Sequence, residues 1–162
     1  MPAPEESKTL VVHNLKLESA TDLLSRAISS SNEISGAVYL PVTPNCKNCK
    51  MDIQATFKLN DLKYGGSYTA MRFEGSGNSI EERIQKLLEE LKILNLNISI
   101  LETYQSDIFW NKVKNLEMFS LTKNNILRIV IPPSECANLV YQFTNKFKYY
   151  LDWGGALIWV EA

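Results

Sequence analysis

Runs in which apolar and polar residues alternate predict most of the strands, because a strand points successive side chains to opposite faces. In residues 9–17 the alternation slips by one position at His13 and Asn14, which predicts a β-bulge. Residues 53–59 alternate without interruption, and the glycine pair at 65–66 predicts a hairpin to the next strand. The predicted strands are residues 9–17, 34–40, 53–59, 68–74, 97–101 and 126–131, with two short ones on either side of residues 152–155.

Apolar residues spaced three and four positions apart predict four helices. Ser19 and Ser106 are the expected N-caps of the first and third helices, and Ser79 with Glu82 forms a capping-box pattern before the second. The apolar stripes are Ala20, Leu23, Leu24, Ala27 and Ile28; Ile80, Ile84, Leu87, Leu88, Leu91 and Leu94; Phe109, Trp110, Val113 and Leu116; and Leu139, Val140, Phe143 and Phe147 after Ser134.

The resulting order of elements is β-α-β-β-β-α-β-α-β-α-β-β. Helices alternate with strands, yet at least one hairpin interrupts the series, which argues against a doubly wound nucleotide-binding fold. We therefore expect an α+β fold with a mixed or mainly antiparallel sheet and helices packed on one face. Residues 1–7 are acidic and contain proline, and we expect them to be a disordered lead-in to a single domain over residues 8–162.

Composition and charge exclude several classes of protein. The chain has 162 residues, of which 45% are hydrophobic and 22% charged, as in an ordinary globular domain. Its net charge of -1 lacks the basic excess expected of a nucleic-acid-binding protein. No run approaches the roughly 20 apolar residues that span a bilayer, and the N-terminus does not resemble a signal peptide. We expect a cytoplasmic protein without membrane insertion.

Metal-ligating and nucleophilic residues are few. Cys46 and Cys49 form a CxxC, but the expected strand after them does not favour a thioredoxin-like site, which needs a helix there. With Cys136 and the single histidine, His13, they would make a Cys₃His zinc set, although the usual second close pair of ligands is missing. Loop thiols without a special role are the favoured alternative. Acid–base catalysis most often uses a histidine, and the single one, His13, lies on a predicted strand with no catalytic motif around it. No catalytic residue is therefore assigned.

Two arginines interrupt apolar strands. Arg128 lies in residues 126–131, and Arg72 lies two residues before Glu74, on the same face of its strand. Surface ion pairs are the simpler interpretation. The functional alternative is a carboxylate clamp, because guanidinium binds carboxylate through two parallel hydrogen bonds.

Glycine-rich segments give two further candidates. The run Asp152-Trp153-Gly154-Gly155 is either a tight hairpin packed by aromatic residues or the edge of a ligand or subunit interface. Residues 75–77 (GSG) precede a helix N-terminus, where an anion could bind, although shaping the turn is the simpler role. Neither segment fits a dinucleotide or Walker motif.

Several of these segments, taken in order, resemble a known family. They are residues 34–41 (ISGAVYLP), 72–76 (RFEGS), 109–110 (FW), 127–134 (LRIVIPPS) and 150–159 (YLDWGGALIW). Together they resemble the C-terminal domain of the FAD-binding subunit of glycolate oxidase, in the vanillyl-alcohol-oxidase-type group of FAD-linked oxidases. The last segment is the most specific of the five.

The resemblance implies a ferredoxin-like cap domain on the substrate side of the flavin, with the N-terminal FAD-binding domain absent. It further implies a complex with a catalytic flavin subunit and an iron–sulfur subunit, peripheral to the inner membrane, that oxidises glycolate or a related 2-hydroxy acid. We expect this chain alone to be inactive and to bind no FAD. A non-catalytic assembly module of that complex is the alternative.

The resemblance also suggests which residues face the active site. The candidates to face flavin or substrate are Arg128, Arg72, Trp153 and Trp110. The interface candidates are Asp152, Gly154, Gly155 and Trp159.

Overall fold

The computed structural model describes residues 6–30, 33–42, 53–119, 125–143 and 146–161. The strands are β1 (Glu6–His13), β2 (Gly36–Leu40), β3 (Tyr68–Gly75), β4 (Ile98–Leu101), β5 (Ile126–Val130), β6 (Tyr149–Asp152) and β7 (Leu157–Glu161). The helices are α1 (Leu17–Ser29), α2 (Ile53–Phe57), α3 (Gly77–Leu91), α4 (Thr103–Lys114) and α5 (Cys136–Phe143). Short 3-10 turns are Lys92–Leu94, Glu117–Phe119, Pro133–Glu135 and Trp153–Gly155.

The strands form one sheet in the order β4-β1-β3-β2-β6-β7-β5, and neighbouring strands run antiparallel. With α1 and α3, the first four strands follow a β-α-β-β-α-β order in which β3 lies between β1 and β2. The short helix α2 is inserted between β2 and β3. Strands β6, β7 and β5 extend the sheet beyond β2. The predicted α+β fold with an antiparallel sheet is confirmed.

Helices cover both faces of this sheet, so the prediction that they pack on one face is wrong. Leu10 and Val12 of β1 belong to the apolar core beneath α1, α3 and α5, whereas Val11 belongs to a second core beneath α2 and α4. Helical periodicity shows that each helix has an apolar side, but it does not show which face of the sheet receives that side.

The first strand differs from its prediction at both ends. Its ladder with β3 runs without interruption from the pair of Glu6 with Gly75 to the pair of His13 with Tyr68, so the expected bulge is wrong. Residues 6 and 7, which were expected to belong to a disordered lead-in, are part of β1. The rest of that expected lead-in, residues 1–5, lies outside the described residues. The apparent slip in the alternation marks the end of the strand, because Asn14 has a φ of 64° and turns the chain toward α1.

Residues 53–57 form α2, not the predicted strand. Ile53 and Phe57 are buried, and their spacing of four places them on one side of either a helix or a strand. Ala55 decides between the two, because a strand would bury it with them, whereas it is exposed. The expected hairpin is consequently wrong, and β3 pairs with β1 and β2 instead.

All three predicted serine caps lie inside their helices. The N-cap of α3 is Ser76, whose hydroxyl accepts a hydrogen bond from the Ser79 backbone N–H at 3.4 Å. Helix α1 begins after Lys16 and helix α4 after Glu102, without a side-chain cap in either case. Three residues expected on the inner stripes are substantially exposed: Ile28, Leu94 and Phe147.

Candidate functional site

A pocket of about 460 Å³ opens on the face of the sheet that α4 covers. Its walls include residues of β3, α4, β6 and β7. It contains all three tryptophans of the chain together with one arginine and one carboxylate: Trp110, Trp153, Trp159, Arg72 and Asp152. The fold thus brings five candidates from three separate segments of the sequence into one place.

A glycine opposite Arg72 makes room for one wall of the pocket. Arg72 on β3 pairs with Gly36 on β2. A Cβ atom on Gly36 would lie 3.0–3.3 Å from three ring carbons of Trp110, closer than ordinary packing allows. Gly36 therefore lets the indole of Trp110 lie against the sheet beside Arg72.

The guanidinium of Arg72 is held in place on several sides. Its Nε donates to Ser35 Oγ at 3.0 Å, and its Nη2 donates to the Ser35 carbonyl at 2.7 Å. Its Nε also lies 3.3 Å from Glu74 Oε1, and its Cζ lies 5.0 Å from the ring centroid of Trp110. The ion pair with Glu74 considered from the sequence is thus present. Within the described ranges Nη1 has no acceptor, so one end of the guanidinium keeps donors for a ligand.

A buried chain of hydroxyl groups fixes Trp110. Its indole Nε1 donates to Thr9 Oγ1 at 2.7 Å. Thr9 Oγ1 lies 2.6 Å from Ser106 Oγ, which lies 2.9 Å from Ser7 Oγ. Thr9 and Ser106 are fully buried, and Ser7 is nearly so. Because an indole N–H can only donate, Thr9 supplies its acceptor and sets the orientation of the ring.

Asp152 is the carboxylate of the pocket, at the end of β6. Its Oδ1 accepts a hydrogen bond from the Trp153 backbone N–H at 2.8 Å. Burial raises the pKa of Asp152, while that hydrogen bond and the charges of Arg72 and Arg128 lower it. Arg128 is therefore electrostatically linked to the pocket, although it does not line it.

The turn after Asp152 has an unusual backbone. Trp153, Gly154 and Gly155 have φ values of 51°, 67° and 101°, and Trp153 is 45% exposed at the pocket. The two glycines are buried: a Cβ on Gly154 would lie 2.9 Å from Ile28 Cδ1, and one on Gly155 would lie 3.0 Å from Cys136 Sγ. Their role as interface residues is therefore wrong, because they pack against α1 and α5 and leave only Trp153 at the surface.

Trp159 joins the pocket to the edge of the sheet. It pairs with Tyr150 on β6 and with Arg128 on β5, so the three side chains lie on one face. The rings of Trp159 and Tyr150 stack with centroids 6.5 Å apart. Arg128 is exposed at the outer end of this row.

The candidate zinc ligands do not come together. His13 contacts Tyr68 on the α4 side of the sheet, and its Nε2 lies 2.7 Å from Ser99 Oγ. Cys136 is buried in the core on the opposite side, where burial raises the pKa of its thiol to about 11. The Cys₃His set is therefore wrong, since these two residues cannot bind one ion. Cys46 and Cys49 lie outside the described residues, and no metal-ligand cluster occurs in the part that the structure describes.

Sequence reasoning missed the residues that support the pocket. Ser35 and Gly36 position Arg72 and Trp110, and Lys114 of α4 adds a positive charge to the wall. Two of them could have been found from the sequence, because Thr9 is a polar residue in an apolar strand and Ser106 is a polar residue in an apolar helical stripe. Such residues are buried only when they find hydrogen-bond partners.

Sequence comparisons assign no family to the chain, because no family model and no curated protein matches it. None of the helices in the described ranges is long and apolar enough to cross a membrane.

Proposed function

We propose that the chain is the substrate-side cap domain of an FAD-dependent 2-hydroxy-acid oxidase, and that its pocket binds the carboxylate of the acid. The observation that carries this proposal is the guanidinium of Arg72, which is held by Ser35 and Trp110 with donors left over. A guanidinium oriented in this way suits a carboxylate. We also propose that this cap domain is ferredoxin-like, which the β-α-β-β-α-β order of β1 to β4 supports.

Residues 75–77 do not fit the pyrophosphate of FAD. The segment considered as an anion site, residues 75–77, begins α3, but a Cβ on Gly77 would lie 3.1 Å from both carboxylate oxygens of Glu6. A carboxylate already lies at this helix N-terminus and would repel a phosphate. Our proposal therefore assigns the binding of the acid to the pocket and does not place the flavin at residues 75–77.

The partners in this proposal are a catalytic flavin subunit and an iron–sulfur subunit of a glycolate oxidase complex. The proposed location is the cytoplasm, with the complex peripheral to the inner membrane. Nucleic acid is not a proposed partner, since the net charge is -1.

Reconstitution tests the proposal. The chain is mixed with the catalytic flavin and iron–sulfur subunits, and glycolate-dependent reduction of a dye is measured with wild type and with Arg72→Lys. We expect a stable complex in both cases and a decrease in kcat/KM of about tenfold or more for Arg72→Lys, because lysine cannot bind carboxylate in the same two-pronged way. Equal activity with and without the chain would refute the proposal.

The alternative, an assembly module without contact to substrate, is favoured by one observation. Strand β5 lies at the edge of the sheet, and its Leu127 and Val130 are 47% and 73% exposed. Exposed apolar edge strands are sites where another chain can pair. In this case Val130→Lys abolishes the complex, whereas Arg72→Lys and Arg128→Ala leave its activity unchanged.

A further inference from the structure

The pocket contains opposite charges that do not neutralise each other by contact. Arg72 and Arg128 act on Asp152 electrostatically, yet neither forms an ion pair with it. Oδ1 of Asp152 is used by the backbone of Trp153, and Oδ2 accepts no hydrogen bond from any residue that the structure describes. A free acceptor on Asp152 and free donors on Arg72 therefore line the same pocket.

This arrangement matches two adjacent groups of a small molecule. The 2-hydroxyl group of a 2-hydroxy acid is a hydrogen-bond donor next to a carboxylate. We propose that Asp152 determines specificity by accepting a hydrogen bond from the 2-hydroxyl group of an acid whose carboxylate binds Arg72. This inference rests on the function proposed above.

The charges around Asp152 favour a hydroxyl group over other 2-substituents. A 2-oxo group has no hydrogen to donate, and its oxygen would face the carboxylate without a partner. A 2-ammonium group could donate, but Arg72 and Lys114 line the pocket with positive charge, and the charge of Arg128 also acts on Asp152. Glu74 offsets the charge of Arg72 through their ion pair, which leaves Lys114 and Arg128 as the cations that disfavour an ammonium group.

Protonation of Asp152 provides a second test on the unaltered chain. The groups facing Asp152 are Arg72 on β3, Arg128 on β5, Tyr150 on its own strand, Lys114 on α4 and the Trp153 amide. Burial raises the pKa of Asp152, so this carboxylate takes up a proton and becomes a donor at a higher pH than an exposed aspartate does. The preference for a hydroxy acid should therefore fall as the pH is lowered and Asp152 becomes protonated.

The experiment uses four acids with the same carbon skeleton: lactate, pyruvate, alanine and propionate. Binding to the 162-residue chain is followed by tryptophan fluorescence, which reports on the pocket because all three tryptophans line it. We expect lactate to bind about tenfold more tightly than propionate or pyruvate. In Asp152→Asn the preference over pyruvate disappears, while propionate binds more tightly because a negative charge is gone. The asparagine keeps an acceptor for the Trp153 amide and so preserves the turn.

Two further variants separate the possible failures. Arg72→Lys should weaken all four acids without changing the ratio of lactate to propionate. Glu89→Gln is the control: it removes a charge from an exposed position of α3, on the other face of the sheet, and should leave the affinity for all four acids unchanged. If wild type binds none of the acids, the proposed function fails. The role of Asp152 is refuted, and carboxylate binding stands, if the wild type binds acids without an advantage for lactate or binds alanine best. The same holds if Asp152→Asn keeps the preference for lactate at each pH.

Discussion

The hydrogen bond between Trp110 and Thr9 makes a quantitative prediction about stability. In Thr9→Val the side chain keeps its shape but loses the acceptor for the Trp110 indole N–H, a bond of 2.7 Å at a fully buried position. A buried donor left without a partner costs about 1–3 kcal/mol. Ser106 loses the same partner but keeps Ser7, which limits any additional loss. We expect the free energy of unfolding to fall by about 2 kcal/mol, and the Tm to fall by about 4–8 °C.

A double-mutant cycle isolates this bond. Trp110→Phe removes the indole N–H, so Thr9→Val should cost less in that background, with a coupling energy of about 1–2 kcal/mol. Thr9→Ser is the matched control, because it keeps the hydroxyl group and loses only a methyl group, worth about 1 kcal/mol. Urea unfolding followed by circular dichroism measures all the variants. A coupling energy near zero would refute the role given to Thr9.

Two further predictions concern other parts of the fold. Burial lowers the pKa of His13 to about 4, below the usual 6.5, so the folded state favours the neutral ring. The free energy of unfolding is therefore highest above about pH 6.5 and falls by about 3 kcal/mol as the pH is lowered toward about 4. In urea unfolding, His13→Phe should lack this part of the pH dependence. Parallel curves of stability against pH for the two proteins would contradict the prediction. Gly155→Ala should lower the Tm by several degrees, because φ is 101° and the new Cβ would lie 3.0 Å from Cys136 Sγ; Gly65→Ala is the control, with no positive φ and only the flexible end of Gln54 within contact. Equal Tm values for the two glycine variants would disprove the explanation.

Local periodicity predicted the elements whose side chains face one core. Residues 80–91 carry a stripe that only a helix explains, and the described structure has α3 there. Ile53 and Phe57 did not distinguish helix from strand, because a spacing of four satisfies both periods. Strand order and the face that each helix covers depend on contacts distant in the sequence. Those contacts leave no periodic signal, and for that reason the second core beneath α2 and α4 was not foreseen.

Site residues were predictable where their chemistry conflicts with their local pattern. Arg72 and Asp152 are charged residues within or beside apolar strands, and both line the pocket. Gly154 and Gly155 gave an equally distinctive signal, but its cause is packing against Ile28 and Cys136. A sequence shows that a glycine is needed, but it does not show whether a ligand or another part of the chain approaches it.

The pocket depends on the same contacts that determine the fold. Thr9 pairs with Arg72 across β1 and β3, and Arg72 pairs with Gly36 across β3 and β2, so one row of the sheet positions the guanidinium beside the indole. Helix α4 supplies that indole and is joined to the row through Ser106. A shift of β1 by one residue would turn Thr9 to the other face and remove the acceptor for Trp110. The buried hydroxyl groups of Ser7, Thr9 and Ser106 therefore couple strand register to the geometry of the pocket. Although Thr9 does not line the pocket, we expect ligand affinity to change whenever this hydrogen-bonded series is broken.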